Sequence, residues 1–161
     1  YKRQGAPMDR LSRTGDAGRY AFPRVQVHDA PLDMSFSGLK TAAINLIHNA
    51  RQKEEALDLP SLAASFSAAV SDMLVPRVME AARRCGRRKV AVAGGVAANS
   101  HIRADLEAAC AAAGCRLYLP PLSLCGDNGA MIGCQAYYEY LAGHTADMAL
   151  NAYANRDIAK G

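Results

Sequence analysis

Between Ser61 and Gly86 apolar residues return every three or four positions, at Leu62, Phe66, Ala69, Met73 and Leu74 and then at Val78, Met79 and Ala82. That is the period of an amphipathic helix. Ser61 is its expected N-cap, and Gly86 its left-handed stop. Pro76 falls inside the run and is expected to kink or interrupt it, because proline lacks an amide donor and crowds the preceding turn. Upstream, Ser35-Phe36-Ser37-Gly38-Leu39-Lys40-Thr41 leads into a second helix through Ala42, Ala43, Leu46 and Ile47, with Gly38 read as a backbone device just before it. The charged stretch from Arg51 to Glu55 reads as a solvated helix end and loop. The first thirty residues are punctuated by Gly5, Pro7, Gly15, Gly18, Pro23 and Pro31, and Pro7 suits the first turn of a short helix.

Beyond Gly86 the pattern changes. Lys89-Val90-Ala91-Val92-Ala93 reads as a short buried strand that ends in Gly94-Gly95. A helix follows through Ile102, Leu106, Ala109, Cys110 and Ala113, and Gly114 ends it. Arg116-Leu117-Tyr118-Leu119 reads as a second strand, stopped by Pro120-Pro121. Asp127 is expected to open a last helix that runs to about Leu141, with Gly143 as its stop. Strand, helix, strand, helix is an α/β grammar with the two strands parallel. A division into a helical part over 30–87 and an α/β part over 88–150 follows from that change of pattern, and the polar tail from Asn151 is expected to be loose.

At 161 residues, with half of them apolar, the chain can bury a core. No apolar run is read as approaching the roughly 20 residues of a membrane helix, and no membrane partner is expected. The opening Tyr1-Lys2-Arg3-Gln4-Gly5 shows no secretory leader and no initiator Met, so a fragment of a longer protein is expected. The cysteines at 85, 110, 115, 125 and 134 contain no Cys-x-x-Cys pair, which argues against a disulfide framework or a structural zinc site. Most are expected to be buried thiols in a reducing compartment, the cytoplasm. A net charge of +4 permits a nucleic-acid partner without demanding one.

Candidate chemistry gathers after the two strands, where open α/β sheets bind ligands. Gly94 and Gly95 would let a flat ligand or a phosphate approach the backbone. Asn99 can cap the helix behind it or hydrogen-bond a ribose or base. Asp127 can cap its own helix or bind a divalent cation. Lys40 is an anion contact or a solvated lysine. Arg83, Arg84, Arg87, Arg88 and Lys89 either complement a helix C-terminus or meet RNA phosphates. Tyr137, Tyr138 and Tyr140 are read as packing residues.

Three words of the sequence resemble one family: Ser35-Phe36-Ser37-Gly38-Leu39-Lys40-Thr41, Ala93-Gly94-Gly95-Val96-Ala97-Ala98-Asn99, and Pro120-Pro121-Leu122-Ser123-Leu124-Cys125-Gly126-Asp127-Asn128. They look like signatures of the tRNA N6-adenosine threonylcarbamoyltransferases, once described as glycoprotease-like, and Phe22-Pro23-Arg24 resembles a landmark ahead of the first. The resemblance implies an α/β chain that is the second half of an actin-like ATPase (RNase H-like) fold, helix-rich with a small sheet. It implies transfer of a threonylcarbamoyl group from threonylcarbamoyl-adenylate to N6 of the adenosine beside a tRNA anticodon. It also implies tRNA, a smaller paralogous subunit and a P-loop ATPase as partners, an adenylate or ATP as ligand, and one divalent metal ion, iron or zinc. Carried over by position, Gly94, Gly95 and Asn99 contact the adenylate, Asp127 is a metal ligand, and Gly5 and Asp9 hold the nucleoside. The adenylate is a mixed anhydride whose carbonyl is already activated, and a cation can polarise it further.

Departures from the family pattern are specific. Tyr1-Lys2-Arg3-Gln4-Gly5 alters the Tyr-Pro-Gly-Gly-Pro segment, Gly126 stands where Thr is common, and Gly129 and Gly133 stand where Ala is usual. The family's His-x-x-x-His metal pair has no counterpart, since no two of His28, His48, His101 and His144 are four apart. The isolated chain is therefore expected neither to hold the metal well nor to turn over. Three other readings stay open: a small-molecule kinase of the actin-like superfamily, a metalloprotease, and a non-catalytic interaction module. The metalloprotease reading lacks a His-Glu-x-x-His word.

Overall fold

The computed structural model describes residues 5–25 and 30–151. His28, the residues before Gly5 and the tail from residue 152 lie outside the described residues. The elements are α1 (Gly5–Ser12), α2 (Ser37–Gln52), α3 (Leu59–Arg84), β1 (Lys89–Ala91), a 3-10 turn (Gly95–Ala98), α4 (Ser100–Ala112), β2 (Arg116–Tyr118), a second 3-10 turn (Leu122–Leu124) and α5 (Gly129–Leu141). Two compact units divide at residue 126, Tyr1–Gly126 and Asp127–Gly161. The fold is helix-rich with one small sheet.

α3 is the spine of the first unit. Asp58, not Ser61, is its N-cap: the carboxylate accepts from the Ser61 amide at 3.3 Å and from the Ser61 hydroxyl at 2.7 Å. A carboxylate satisfies two donors where a hydroxyl would satisfy one, and Pro60 supplies the fixed φ of a first turn. Ser61 is instead buried and turns toward the preceding loop. Its oxygen accepts from the Asp16 amide at 3.0 Å. One turn on, the Ser65 hydroxyl accepts from the Tyr20 amide at 3.1 Å and donates to the Asp16 carbonyl at 3.2 Å. Buried serines thus lace the segment after α1 to the helix, which satisfies backbone groups that burial would otherwise leave without water.

Pro76 does not interrupt α3, which continues to Arg84. Its ring sits on an exposed face, and the next residue reinforces the helix there. Arg77 donates to the Met73 carbonyl at 2.6 Å, to Val25 at 3.0 Å and to Asp33 at 2.9 Å, so one guanidinium ties the helix to the segments flanking residues 26–29. Ten residues of α3 are buried. Leu62, Ala69 and Met73 form a core with Phe22 and Leu39, and Ala42, Ala43, Leu46 and Phe66 pack at its edge. Val75 meets Ile102 and Leu106 of α4 in a second cluster. Ile47, by contrast, is exposed.

By length and mean hydropathy α3 would reach across a bilayer, which corrects the expectation that no segment approaches that length. Its serine stripe and its contacts with α1 and α4 account for it as a core helix.

β1 and β2 are parallel, with Val90 opposite Leu117. Both are shorter than the sequence predicts, although the Val92 amide still donates to Tyr118 at 3.0 Å. Among the described residues the sheet has these two strands only, so the outer edge of β1 is open. Gly86, Gly114 and Gly143 close their helices with φ of 60°, 63° and 75°, as expected. Gly38 lies inside the first turn of α2 rather than before it. Its role is space, since a Cβ there would press on the Val25 side chain at 3.3 Å.

Cys110 and Cys125 are buried, Cys115 is half-buried, and Cys85 and Cys134 are exposed, so most of the thiols are not buried as expected.

The close seating of the post-α1 loop on α3 is tested at Gly15. A Cβ there would overlap the Pro60 carbonyl and the Ser61 nitrogen, which are backbone atoms at a capped helix start and cannot swing away. Gly15→Ala is expected to cost about 3 kcal/mol, read as a lowered urea midpoint. An unchanged midpoint would show that the loop does not pack this way.

Candidate functional site

The backbone after β1 turns sharply. Gly94 has φ 88° and ψ 174°, a region that is costly for any residue with a Cβ. The 3-10 turn follows, closed by the Ala97 amide on the Gly94 carbonyl and the Asn99 amide on Val96, each at 3.0 Å. Gly95 and Val96 are exposed, and no atom lies within 4 Å of a Cβ built on Gly95. The turn therefore offers a bare stretch of backbone. Asn99 then caps α4, its Oδ1 accepting from the Ile102 amide at 3.1 Å. That assignment leaves the two Nδ2 hydrogens for another partner.

The N-terminus of α4 carries a second anchor from far away in sequence. Asp9 of α1 is buried, and its Oδ1 accepts from the Ser100 amide at 2.6 Å and the Ser100 hydroxyl at 2.8 Å. Its Oδ2 accepts from Arg13 at 2.9 Å. Burial pushes the Asp9 carboxyl up, but the Ser100 amide, the Ser100 hydroxyl and Arg13 together pull it below its ordinary value. The first-turn amides of Ser100 and Ile102 are thus already taken by protein. An anion, moreover, already occupies the positive end of the helix. A phosphate on α4 is disfavoured, and the bare glycine turn suits the flat, neutral part of a nucleotide. Asp9 has used three of about four acceptor positions, so one remains. Gly5 opens α1 one turn before Asp9 on the same face.

Arg103 was not singled out from the sequence, and it joins the two strand-end loops. It donates to the Ala97 carbonyl at 2.8 Å and to Pro120 at 3.1 Å, with the Cys125 sulfur 3.7 Å away. The signal for it is an arginine four residues after the capping Asn99, on the same face of the first turn. Ser100 was missed too, because only folding brings it against Asp9.

The word around Ser37 and Lys40 meets the glycine word across a groove of about 820 Å³. Phe36, Ser37 and Lys40 line one side, Val96 and Ala97 another, and Phe66 and Val70 of α3 form a wall. Val90, Ala91, Val92 and Ala93 all line it. Successive strand residues face opposite ways, so the groove runs along the open edge of β1. Lys40 is exposed at its rim.

Asp127 belongs to the second unit. It is exposed and does not open α5: Asn128 is the N-cap, accepting from the Met131 amide at 2.9 Å, and the helix starts at Gly129. Along α5, Tyr137, Tyr138 and Tyr140 are 59%, 63% and 71% exposed, contrary to the expected packing role, and the first two rings meet edge-on. Among the described residues no three of His, Cys, Asp and Glu converge. Asp127 thus belongs to no such group among the described residues.

The Asp9 anchor has a pH signature. A carboxylate with a lowered folded pKa contributes stability above its unfolded value, ordinarily 3.8, and loses that contribution as pH falls through the folded value. Asp9→Asn is expected to lower stability by about 2 kcal/mol at neutral pH, with the gap to wild type closing below about pH 4. Urea unfolding at both pH values reads it. A gap of constant size would remove the carboxylate from the account.

The glycine turn, its cap and the two neighbouring words can be set beside known proteins. A family model for tRNA N6-adenosine threonylcarbamoyltransferase (TsaD) matches residues 1–134. The protein of that name from Moorella thermoacetica is 45% identical over 148 residues, 92% of this chain and 43% of the relative. Its namesake from Staphylococcus saprophyticus is 45% identical over 154 residues, 96% of this chain and 45% of the relative. A third, from Latilactobacillus sakei, is 46% identical over 156 residues, again 96% and 45%. The chain thus spans less than half the length of these curated relatives. Within that span the match covers the glycine turn, its cap and both neighbouring words, and this chain belongs to the tRNA N6-adenosine threonylcarbamoyltransferase family.

Proposed function

We propose that the full protein transfers a threonylcarbamoyl group from threonylcarbamoyl-adenylate to N6 of the adenosine beside the anticodon of tRNA, and that this chain supplies part of the adenylate site. One observation carries the reading. The three words that resemble the family, scattered over about ninety residues, gather around one groove and one arginine, and Asp9 braces the helix between them. Shared packing alone does not require a bare glycine turn beside a half-used amide.

In this reading the adenosine part lies on Gly94 and Gly95, Asn99 donates to it from Nδ2, and Gly5 and the remaining acceptor of Asp9 face the nucleoside. Holding the activated carbonyl near the attacking amine makes the transfer effectively intramolecular. The open edge of β1 and the apolar groove beside it support the further inference that this chain is the second half of a two-part actin-like fold. Purely parallel sheets are ordinarily covered on both faces, and the rest of the relatives' length would cover this one. Asp127 is proposed as one ligand of a divalent ion, iron or zinc, whose histidine ligands lie outside these residues. A smaller paralogous subunit and a P-loop ATPase are the proposed protein partners. A reducing cytoplasm suits the exposed thiols of Cys85 and Cys134.

Asn99 separates the structural role from the binding one. Serine caps a helix about as well as asparagine but has no amide to donate. In the full-length protein Asn99→Ser is expected to keep the melting temperature and raise the KM for threonylcarbamoyl-adenylate by tenfold or more, about 1.4 kcal/mol. Asn99→Ala is expected to do the same to KM and also to cost about 1 kcal/mol of stability. A normal KM in Asn99→Ser would leave Asn99 as a cap only.

A further inference from the structure

Arg83 to Lys89 are seven consecutive exposed residues at the junction of α3 and β1. The turn between them is tightly held. The Gly86 amide donates to Arg83 at 3.1 Å and the Arg87 amide to Ala82 at 2.8 Å, and the Arg116 amide donates to the Arg88 carbonyl at 2.7 Å. Arg116 therefore stands beside Arg88 at the start of β2, where its guanidinium lies 5.0 Å from the centre of the Tyr118 ring. Six cations thus share one end of the sheet: Arg83, Arg84, Arg87, Arg88, Lys89 and Arg116.

Glu80 is the acid in this group. It accepts two hydrogen bonds from Arg83 and one from Arg84, all at 2.7 Å, and these push its carboxyl down to about 2, so it stays ionised at any ordinary pH. Among the described residues Arg87, Arg88, Lys89 and Arg116 have no carboxylate partner. A helix C-terminus carries about half a negative charge. That charge and Glu80 together offset fewer than two of the six cations. The local excess exceeds the net +4 of the whole chain. Dipole complementation is too small to account for it.

Resting on the proposed tRNA-modifying function, we infer that this patch binds the phosphate backbone of the tRNA away from the reacting nucleoside. The strands begin here and end at the glycine turn. The six residue steps from Lys89 through β1 (Lys89–Ala91) to Gly95 cover up to about 20 Å, and the patch and the glycine turn lie at opposite ends of that segment. A polyanion of macromolecular length reaches both. Five of the six cations are arginines, whose planar fork engages phosphate oxygens in pairs. RNA is favoured over a lipid surface because Arg-Arg-Cys-Gly-Arg-Arg-Lys carries no large apolar side chain to enter a bilayer.

The test uses the full-length protein and a fluorescently labelled, unmodified tRNA transcript, with anisotropy followed between about 50 and 200 mM salt. Arg87→Glu with Arg88→Glu is expected to weaken binding at least tenfold at low salt. The slope of log affinity against log salt should become shallower by about 1.5, and the KM for tRNA should rise. Arg87→Lys with Arg88→Lys should keep most of the slope, and a far-UV spectrum checks that each variant folds. Unchanged affinity and slope in the Glu variant, with wild type still modifying tRNA, would overturn this inference alone. So would an unchanged RNA affinity together with lost binding to phosphatidylcholine–phosphatidylserine vesicles. Failure of the wild type to bind or modify tRNA would instead remove the function on which the inference rests.

Discussion

The site depends on one carboxylate. Asp9, on the first helix, holds the amide and hydroxyl of Ser100 across ninety-one residues of sequence. The bond satisfies a helix amide that would otherwise be unpaired, places a negative charge at the positive end of α4 and fixes where that helix begins. Since Asn99 directly precedes Ser100 and the glycine turn directly precedes Asn99, locating the start of α4 also locates the exposed backbone of that turn. The same carboxylate makes the helix end unattractive to phosphate. One interaction thus supplies both stability and position to the start of α4.

The rest of the first unit supports that arrangement through α3. Its apolar stripe meets α2 on one side and α4 on another, and its buried serines and Arg77 bind the irregular segment between α1 and α2. On α4, Asp105 accepts from the Ser71 hydroxyl, which pins the middle of that helix to α3. Polar groups inside this core are each given a partner at a defined place, so they specify the register of neighbouring segments as well as contributing energy. Among the described residues Ser67 is an exception: its buried hydroxyl has no hydrogen-bond partner there.

Much of this was legible in the sequence where the signal is local. Periodicity located α2, α3 and α4, and the helix-stopping glycines at 86, 114 and 143 have the positive φ expected of them. Local reading failed where a competing local group or a distant one decides. Asp58 displaced Ser61 as the cap because a carboxylate three residues ahead accepts from both the Ser61 amide and its hydroxyl, whereas at α5 the helix starts one residue later than expected and Asn128, next after Asp127, is its cap. Pro76 was tolerated because it lies on an exposed face beside an arginine that reinforces the turn. In the candidate site, the glycines and Asn99 were readable as words, and Asp9 was readable by resemblance. Its actual partners were not, since nothing in one dimension brings residue 9 to residue 100. Arg103 escaped for the same reason: its importance is that it joins two loops, a property of the fold.

The most direct check on the account is hydrogen exchange in the full-length protein with and without a hydrolysis-resistant analogue of threonylcarbamoyl-adenylate. Ligand seated on the bare glycine turn should slow exchange across the segment from Gly94 to Asn99 by at least tenfold. Protection that appears elsewhere, with this segment exchanging as before, would contradict the placement of the adenylate and the role given to the helix that Asp9 anchors.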